Sequence, residues 1–532
     1  MSTQQNRRRW LKQAGAGTAG ILTTPSLFSH PGTEPKAAQK FAALQLTGDT
    51  TKLTVKMRPG CIRFRKAGDP AWLPIPELLN RNVGLSRKAR ELGWHVLVGN
   101  SEISVPPGKL EYEAFSDITS NLATGRIDSS EQHQLSIQLQ DLFRPEDVWM
   151  VPGNTHLHLR KMTREQVARY LTEIPRADGL KIVFVSYLER ALQTKTYSSN
   201  EFTKADLEAL DNPGLKFGNG EEYRHNFGPG AEGYGHVMLL DIAQRILPAS
   251  VGPGITLDGN DGTPLQPGIR QAKDDGATVI WCHNTFGYED IPNWLGGLVD
   301  AQNIFDGGNR NGYAETFYRY LNLGMTVPFS TGTDWFMYDF SRTYVPISPD
   351  EERTPRTWLQ RLKSGRSIIT NGTWLDLNVN ETEPGENLVY ARPRTLPIKA
   401  SAIGRNDFGK IELIRNGKVV AEANSKPKGD HYEAQLQLNH KLTEPEWWAL
   451  RIAHPNTGRN ELNQPLFAHT SPVYVDYRDQ RVFDPETAKS LIEEMEQSSK
   501  SIRRFGKFAN HEEQQKVLGI YQNAIKQLKG RL

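Results

Sequence analysis

The sequence predicts a multidomain α/β plus β protein, and three observations carry that expectation. At 532 residues the chain is long for one domain, and 37% hydrophobic with 9% aromatic residues suffices for several cores. Its middle alternates buried-type apolar runs with helical segments, the pattern of a parallel sheet or barrel. On both sides of that region the apolar residues recur with period two, the pattern of half-buried strands. The expected parts are a small β domain over 41–147, an α/β barrel over 148–372, a β-sandwich over 373–480 and C-terminal helices over 481–532, preceded by a segment 1–40 of different composition.

That first segment reads NRRRWLKQAGAGTAGILTTPSLFS. Arg7 and Arg8, then Trp10, Leu11 and Lys12, lead into a weakly apolar, Gly-rich run, and the arrangement resembles a twin-arginine export signal. The resemblance implies the twin-arginine export machinery as a partner and a periplasmic or otherwise extracytoplasmic location. The run is too short and too polar for a permanent membrane span. The chain has only Cys61 and Cys282, so no disulfide framework is expected despite the export address. A net charge of +3 without a basic stripe gives no reason to expect a nucleic-acid partner.

Along the β domain, LTVKM (53–57), WHVLV (94–98) and HQLSIQL (133–139) read as short strands between turn signals. In the middle, Thr163 with Gln166 three residues on makes a capping box that starts a helix. The runs at 180–188, 236–242, 277–283 and 325–334 read as strands, and ETFYRYLNLG as a helix between the last two. Beyond residue 373, Asn416-Gly417 is a hairpin-turn signal between KIELIR and KVVAEA. Asp484-Pro485 is an N-cap followed by proline at the first helical position, and Val517, Leu518, Tyr521, Ile525 and Leu528 fall on one helical face.

The chemistry centres on VPGNTHLHLRKMTREQ. In an extended strand residues two apart point the same way, so His156 and His158 aim two imidazoles at one point, as a metal ion requires. The middle region adds Glu221, Glu222 and His225, His236 opening a strand, His283 closing one, and Asp334 in the turn STGTDWF. Each alone has a bland alternative: His283 as a core or capping histidine, Asp334 as a turn residue, His225 as a surface or supporting group. Their joint placement at strand ends favours ligation, because sites in alternating β/α folds form where strands end.

The order HxH, GxE, GH, a strand ending in His, and GTD resembles the PHP superfamily of metal-dependent hydrolases. WLQRLKSGRSIITNGTWLDLNVNE, IELIRNGKVV, WWALRI and FAHTSPVYV are similar to its CehA/McbA branch, the carbaryl-hydrolase-like metallohydrolases. The resemblance covers roughly 148–475. It implies a distorted PHP-like (β/α)7 barrel flanked by the two β regions, with one divalent metal on His156, His158, Glu222 and Asp334. A second metal would share Glu222 and take His236 and His283. The positions that hold a third metal in the superfamily carry LRKMTREQ, Ser186-Tyr187 and Asp334-Trp335-Phe336, so that site is absent as a unit. Two ions are expected, bound by nitrogen and oxygen alone, which suits Zn, Mn or Fe.

Metal-lowered water, its pKa falling from about 15.7 to about 7, would then hydrolyse an ester, carbamate or phosphoester bond of a small molecule. Arg342 and Tyr344 in SRTYV are candidate catalytic groups for an anionic substrate or transition state; an exposed or salt-bridged arginine is the plain alternative. No GxSxG elbow occurs, and Cys282 lacks an activating arrangement, so covalent catalysis is disfavoured. Two other classes stay open: an amidohydrolase-type metal hydrolase, and a non-catalytic envelope binding protein with a structural metal site.

Overall fold

In the computed structural model the described residues are 46, 48–191, 196–225, 233–251, 261–283, 287–308 and 312–532. The twin-arginine-like segment lies outside them. Four central strands, Ile182–Leu188, Lys216–His225, Gly235–Leu240 and Thr278–Cys282, are buried almost throughout. Three of them are largely apolar, as strands covered on both faces require, whereas Lys216–His225 buries Glu221, Glu222, Arg224 and His225.

These strands belong to a seven-strand run in the order Phe329–Ser330, Ala301–Asn303, Thr278–Cys282, Gly235–Leu240, Lys216–His225, Ile182–Leu188, Met150–Asn154. Pairing is parallel except that Gly235–Leu240 is antiparallel to both neighbours. The chain then brings the two ends of the run together. Just beyond its outermost strands lie Leu157–His158 and Asp334–Trp335, which pair with each other in parallel, Leu157 opposite Asp334. Among the described residues the main ladder itself does not close on its own edge.

The helix over Arg164–Ala177 starts at the expected capping box and buries Val167, Tyr170, Leu171 and Ile174. The helix Pro355–Lys363 buries Trp358, whose indole donates to the Val151 carbonyl at 3.0 Å. Two elements differ from expectation. The run 325–334 is two short strands with a crossing between them, because Thr333 and Asp334 leave the sheet to donate their N–H groups to the His156 carbonyl at 3.0 and 2.9 Å. ETFYRYLNLG opens with a π-helical turn, Ala314–Tyr318, before Arg319–Leu321.

Residues 51–136 form two small sheets around a core that includes Leu53, Val55, Phe64, Leu97 and Ile103. Downstream, Thr373–Val379, Arg394–Gly404, His431–Leu442 and Lys426–Lys428 make one sheet of a sandwich. Its partner is a continuation of the central sheet: Arg342–Pro346 pairs with Met150–Asn154, and Ile368–Thr370, Ala468–Thr470, Glu446–Ile452, Lys410–Arg415 and Lys418–Asn424 follow in order. The expected division at 372/373 is therefore a corner between sheets, and Phe41–Leu532 forms one compact unit. A change of periodicity marks where one face becomes exposed, not where a ladder ends.

Asn416 and Gly417, with φ of 48° and 83°, make the hairpin turn of that outer sheet. The helices Pro485–Phe505 and His511–Lys529 pack on the central region, burying Val517, Leu518, Tyr521 and Leu528. No described helix is long and apolar enough to cross a membrane.

Candidate metal centre

Each candidate ligand is placed by backbone pairing. The His156 N–H donates to the Asn154 side chain at 3.0 Å, bending the chain off the sheet so that both HxH rings turn inward. Gly332 runs directly beneath: a Cβ there would lie 2.5 Å from the His156 Cβ, so only glycine permits the crossing. Across the sheet, His236 is in register with Arg224 on one side and Cys282 on the other, so His283 emerges next to it. Glu222 points to the same side. Glu221 points away and accepts from the Ile246 N–H at 3.1 Å.

Around one point, His156 Nε2 and His158 Nε2 are 2.8 Å apart, and His158 Nε2 is 3.1 Å from Glu222 Oε2. Asp334 Oδ1 lies 3.5 Å from His156 Nε2 and 3.8 Å from His158 Nε2, with His156 Nε2 3.8 Å from Glu222 Oε2. Four ligands at bond lengths of about 2.1 Å round a tetrahedral ion are about 3.4 Å from one another, within the spread of these separations. Around a second point, Glu222 Oε1 is 3.5 Å from His236 Nδ1 and 4.0 Å from His283 Nε2, which is 3.9 Å from Asp334 Oδ2. The six residues expected from the sequence thus converge in two groups that share Glu222. Asp334 Oδ1, buried, has no hydrogen-bond partner among the described residues.

The donor set fits divalent cations in its tautomers as well as its distances. His158 Nδ1 is 2.8 Å from the Ser186 carbonyl, which only accepts, so the ring proton sits there and Nε2 keeps its lone pair. A residue the sequence analysis missed does the same for two other rings. Asp306 Oδ2 accepts from His156 Nδ1 at 2.6 Å, from His283 Nδ1 at 3.2 Å and from the Asn303 amide at 3.0 Å. Its carboxylate turns both Nε2 atoms toward the cluster. The next residue, Gly307, leaves room for two of the ligands: with φ of 62°, a Cβ there would lie 3.0 Å from Asp334 Oδ2 and 3.3 Å from His283 Nδ1. Asp306→Asn is expected to weaken metal binding about 10- to 100-fold, read by titration against a competing chelator. Unchanged affinity would show that Asp306 does not orient these rings.

Arg224 was also missed, although period two places it on the face of Glu222. Its guanidinium donates to Glu222 Oε1 at 3.1 Å and is buried. Burial raises the Glu222 carboxyl, but Arg224 and the two imidazoles of the HxH pair outweigh it and hold it well below the usual range. Burial lowers His156 and His283, and the Asp306 and Asp334 carboxylates outweigh it, raising both. Burial and Arg224 push His236 well below the ordinary histidine value. Burial holds the Cys282 thiol well above its ordinary range, so it stays a protonated core group.

A proton on His156 or His283 occupies the Nε2 that faces the cluster, because Nδ1–H is already given to Asp306. Raising the pH through those elevated values frees the ligand atoms, and lowering it refills them. Metal affinity is therefore expected to fall by about tenfold per pH unit for each proton displaced as the solution is acidified through those elevated values. Zinc titrations at a series of pH values check this; a flat profile would mean that the ligands bind no protons in competition.

The structure does not bring Arg342 or Tyr344 to the cluster. Arg342 is 1% exposed, its Nη1 donating to the Asp178 carbonyl at 2.7 Å and its Nε to the Phe340 carbonyl at 3.0 Å. Tyr344 is buried edge-on against Trp374. Both lie on the face of Arg342–Pro346 that packs toward the N-terminal β region, so they serve that seam. His225 is buried, its Nδ1 against the Thr263 carbonyl at 2.7 Å.

No protein-family model and no curated protein matches the chain. Among solved structures, Parabacteroides merdae β-glucuronidase shares 11% identity over 80% of this chain and 60% of its own, with a TM-score of 0.16. The same enzyme with glycerol in its active site gives 11%, 79%, 60% and 0.16. The chain thus spans about 60% of the glucuronidase length, and a likeness this weak carries no argument about fold or activity.

Proposed function

We propose that the chain is a metal-dependent hydrolase of the PHP type, related to the CehA/McbA branch, that cleaves an ester, carbamate or phosphoester bond of a small molecule. On the same proposal it is exported by the twin-arginine route. The observation that carries the reading is the shared carboxylate: Glu222 offers Oε2 to the His156–His158 group and Oε1 to the His236–His283 group. His156, His158, Glu222 and Asp334 would hold one divalent ion, and Glu222, His236 and His283 the other, of Zn, Mn or Fe. When bound, such ions supply Lewis-acid polarisation and an activated water.

The chain's own residues do the rest. Asp306 keeps the Nδ1 protons of His156 and His283 in place and sustains the basicity of both rings. Arg224 keeps Glu222 ionised and sets a fixed positive charge beside it, where negative charge would build on a substrate oxygen. A closed structural site would bury all its ligands equally. Here the side chains of His156, His158 and Glu222 are 0% exposed whereas those of His283 and Asp334 keep 15% and 8%, which favours an open, catalytic face.

Metal analysis of the purified protein, paired with aryl ester, carbamate and phosphodiester substrates, tests the proposal. About two equivalents of a divalent metal and turnover that a chelator removes are expected. Metal-free protein with full turnover, or two firmly held ions with no turnover on any arm, would overturn it.

A further inference from the structure

We infer that the site selects substrates carrying a second, fixed oxyanion, held by Arg160 and Arg190 against Trp335 and apart from the bond that is cleaved. The inference rests on the hydrolase reading for its location, and on separate residues for its content.

Trp335 follows the candidate ligand Asp334 and stands in the wall of the site. Its ring lies 5.5 Å from that of His158 and 5.5 Å from that of Tyr197. Two guanidiniums approach the same indole, Arg160 at 4.9 Å and Arg190 at 5.3 Å from the ring centroid. Both side chains are half-buried. Among the described residues neither has a carboxylate within ion-pair distance, and the Arg190 Nε is buried with no hydrogen-bond partner.

Two other arginines on the chain are paired instead, Arg164 with Asp206 and Arg169 with Glu173. Arg224 is already engaged by Glu222. Two like charges gathered around one indole repel each other and lose hydration. The indole faces return only part of that. An oxyanion between them restores it, since the guanidinium edge matches a carboxylate or sulfonate in two parallel hydrogen bonds. The neighbouring cluster adds positive charge once it holds two dications, so the field over the rim attracts anions. Placement beside His158 sets the anion next to the reacting group without being it.

The test uses the metal-loaded full chain with phenyl acetate and its 4-carboxy and 4-sulfo analogues. In the wild type, kcat/KM for at least one charged ester is expected to exceed that for the neutral one by about tenfold or more, or about 1.4 kcal/mol. The two charged arms distinguish a carboxylate from a sulfonate preference. In the double variant Arg160→Gln/Arg190→Gln the ratio is expected to collapse toward one, while Arg160→Lys/Arg190→Lys keeps part of it. Metal content reports that each variant is folded. A charged-to-neutral ratio equal in wild type and the glutamine variant would overturn the inference. Calorimetry with benzoate and benzenesulfonate separates the two readings. If no ester is cleaved but one anion binds, and the glutamine variant loses that binding, the subsite stands and the hydrolase reading falls. If neither cleavage nor binding occurs, the subsite falls as well.

Discussion

Glu222→Gln is expected to remove turnover and to release both metal ions together. The side chain is fully buried, with one oxygen 3.1 Å from His158 Nε2 and the other 3.5 Å from His236 Nδ1. An amide of the same size keeps the packing but loses the negative charge, and it presents an N–H₂ group to one of the two points. It also leaves Arg224 buried at 7% exposure without its carboxylate. The affinity of both positions falls because they share this residue, so metal content measured after dialysis should drop from about two equivalents toward none. Loss of one ion with the other retained would show that Glu222 does not bridge. Turnover that persisted undiminished would remove the centre from the chemistry altogether. His236→Ala provides the contrast: it touches one group only, and the ion on His156, His158, Glu222 and Asp334 should remain.

The legible part of the site was the part set by strand periodicity. His156 and His158 share a face by alternation, and His236, His283 and Asp334 lie at strand ends, so residue type and position point to the same site. Asp306 was not legible, because it sits in a short turn after Ala301–Asn303, where no repeat reports which way a side chain points. Arg224 was within reach, two residues from Glu222 on the same strand, but a charged residue in a strand gives no sign of whether its face is inner or outer. Arg342 and Tyr344 show the converse failure. Alternation put them on one face of Arg342–Pro346, and the identity of that face depended on pairing with Met150–Asn154, a contact nearly 200 residues away in sequence. In the fold, the sandwich and the terminal helices follow local signals such as Asn416-Gly417 and Asp484-Pro485. The continuity of the central sheet from Ile368–Thr370 into Ala468–Thr470 is long-range pairing, which local pattern does not encode.

The second large effect is one of stability, at the seam to which Arg342 belongs. Arg81, 0% exposed, donates through Nε to Asp178 Oδ1 at 2.8 Å and through Nη1 to the Met337 carbonyl at 2.6 Å, with Nη2 on the other Asp178 oxygen. Arg342 donates to the backbone carbonyl of the same Asp178. Asp178→Ala is therefore expected to destabilise the protein by about 3–5 kcal/mol, because it strands the Arg81 charge in a dry interior beside a second guanidinium. Urea denaturation of the metal-loaded protein measures this as a lower midpoint at similar slope. The double variant Arg81→Met/Asp178→Leu removes the buried charge along with its partner and should recover much of the loss, since desolvating an ion pair offsets most of its attraction. A single variant no less stable than wild type would mean that water reaches Arg81. The same logic applies to Arg342→Met, whose main effect is expected on the denaturation midpoint, with KM for a charged substrate unmoved, because its guanidinium faces Asp178 and Phe340 and not the cluster. A selective rise in that KM would instead place Arg342 in contact with substrate.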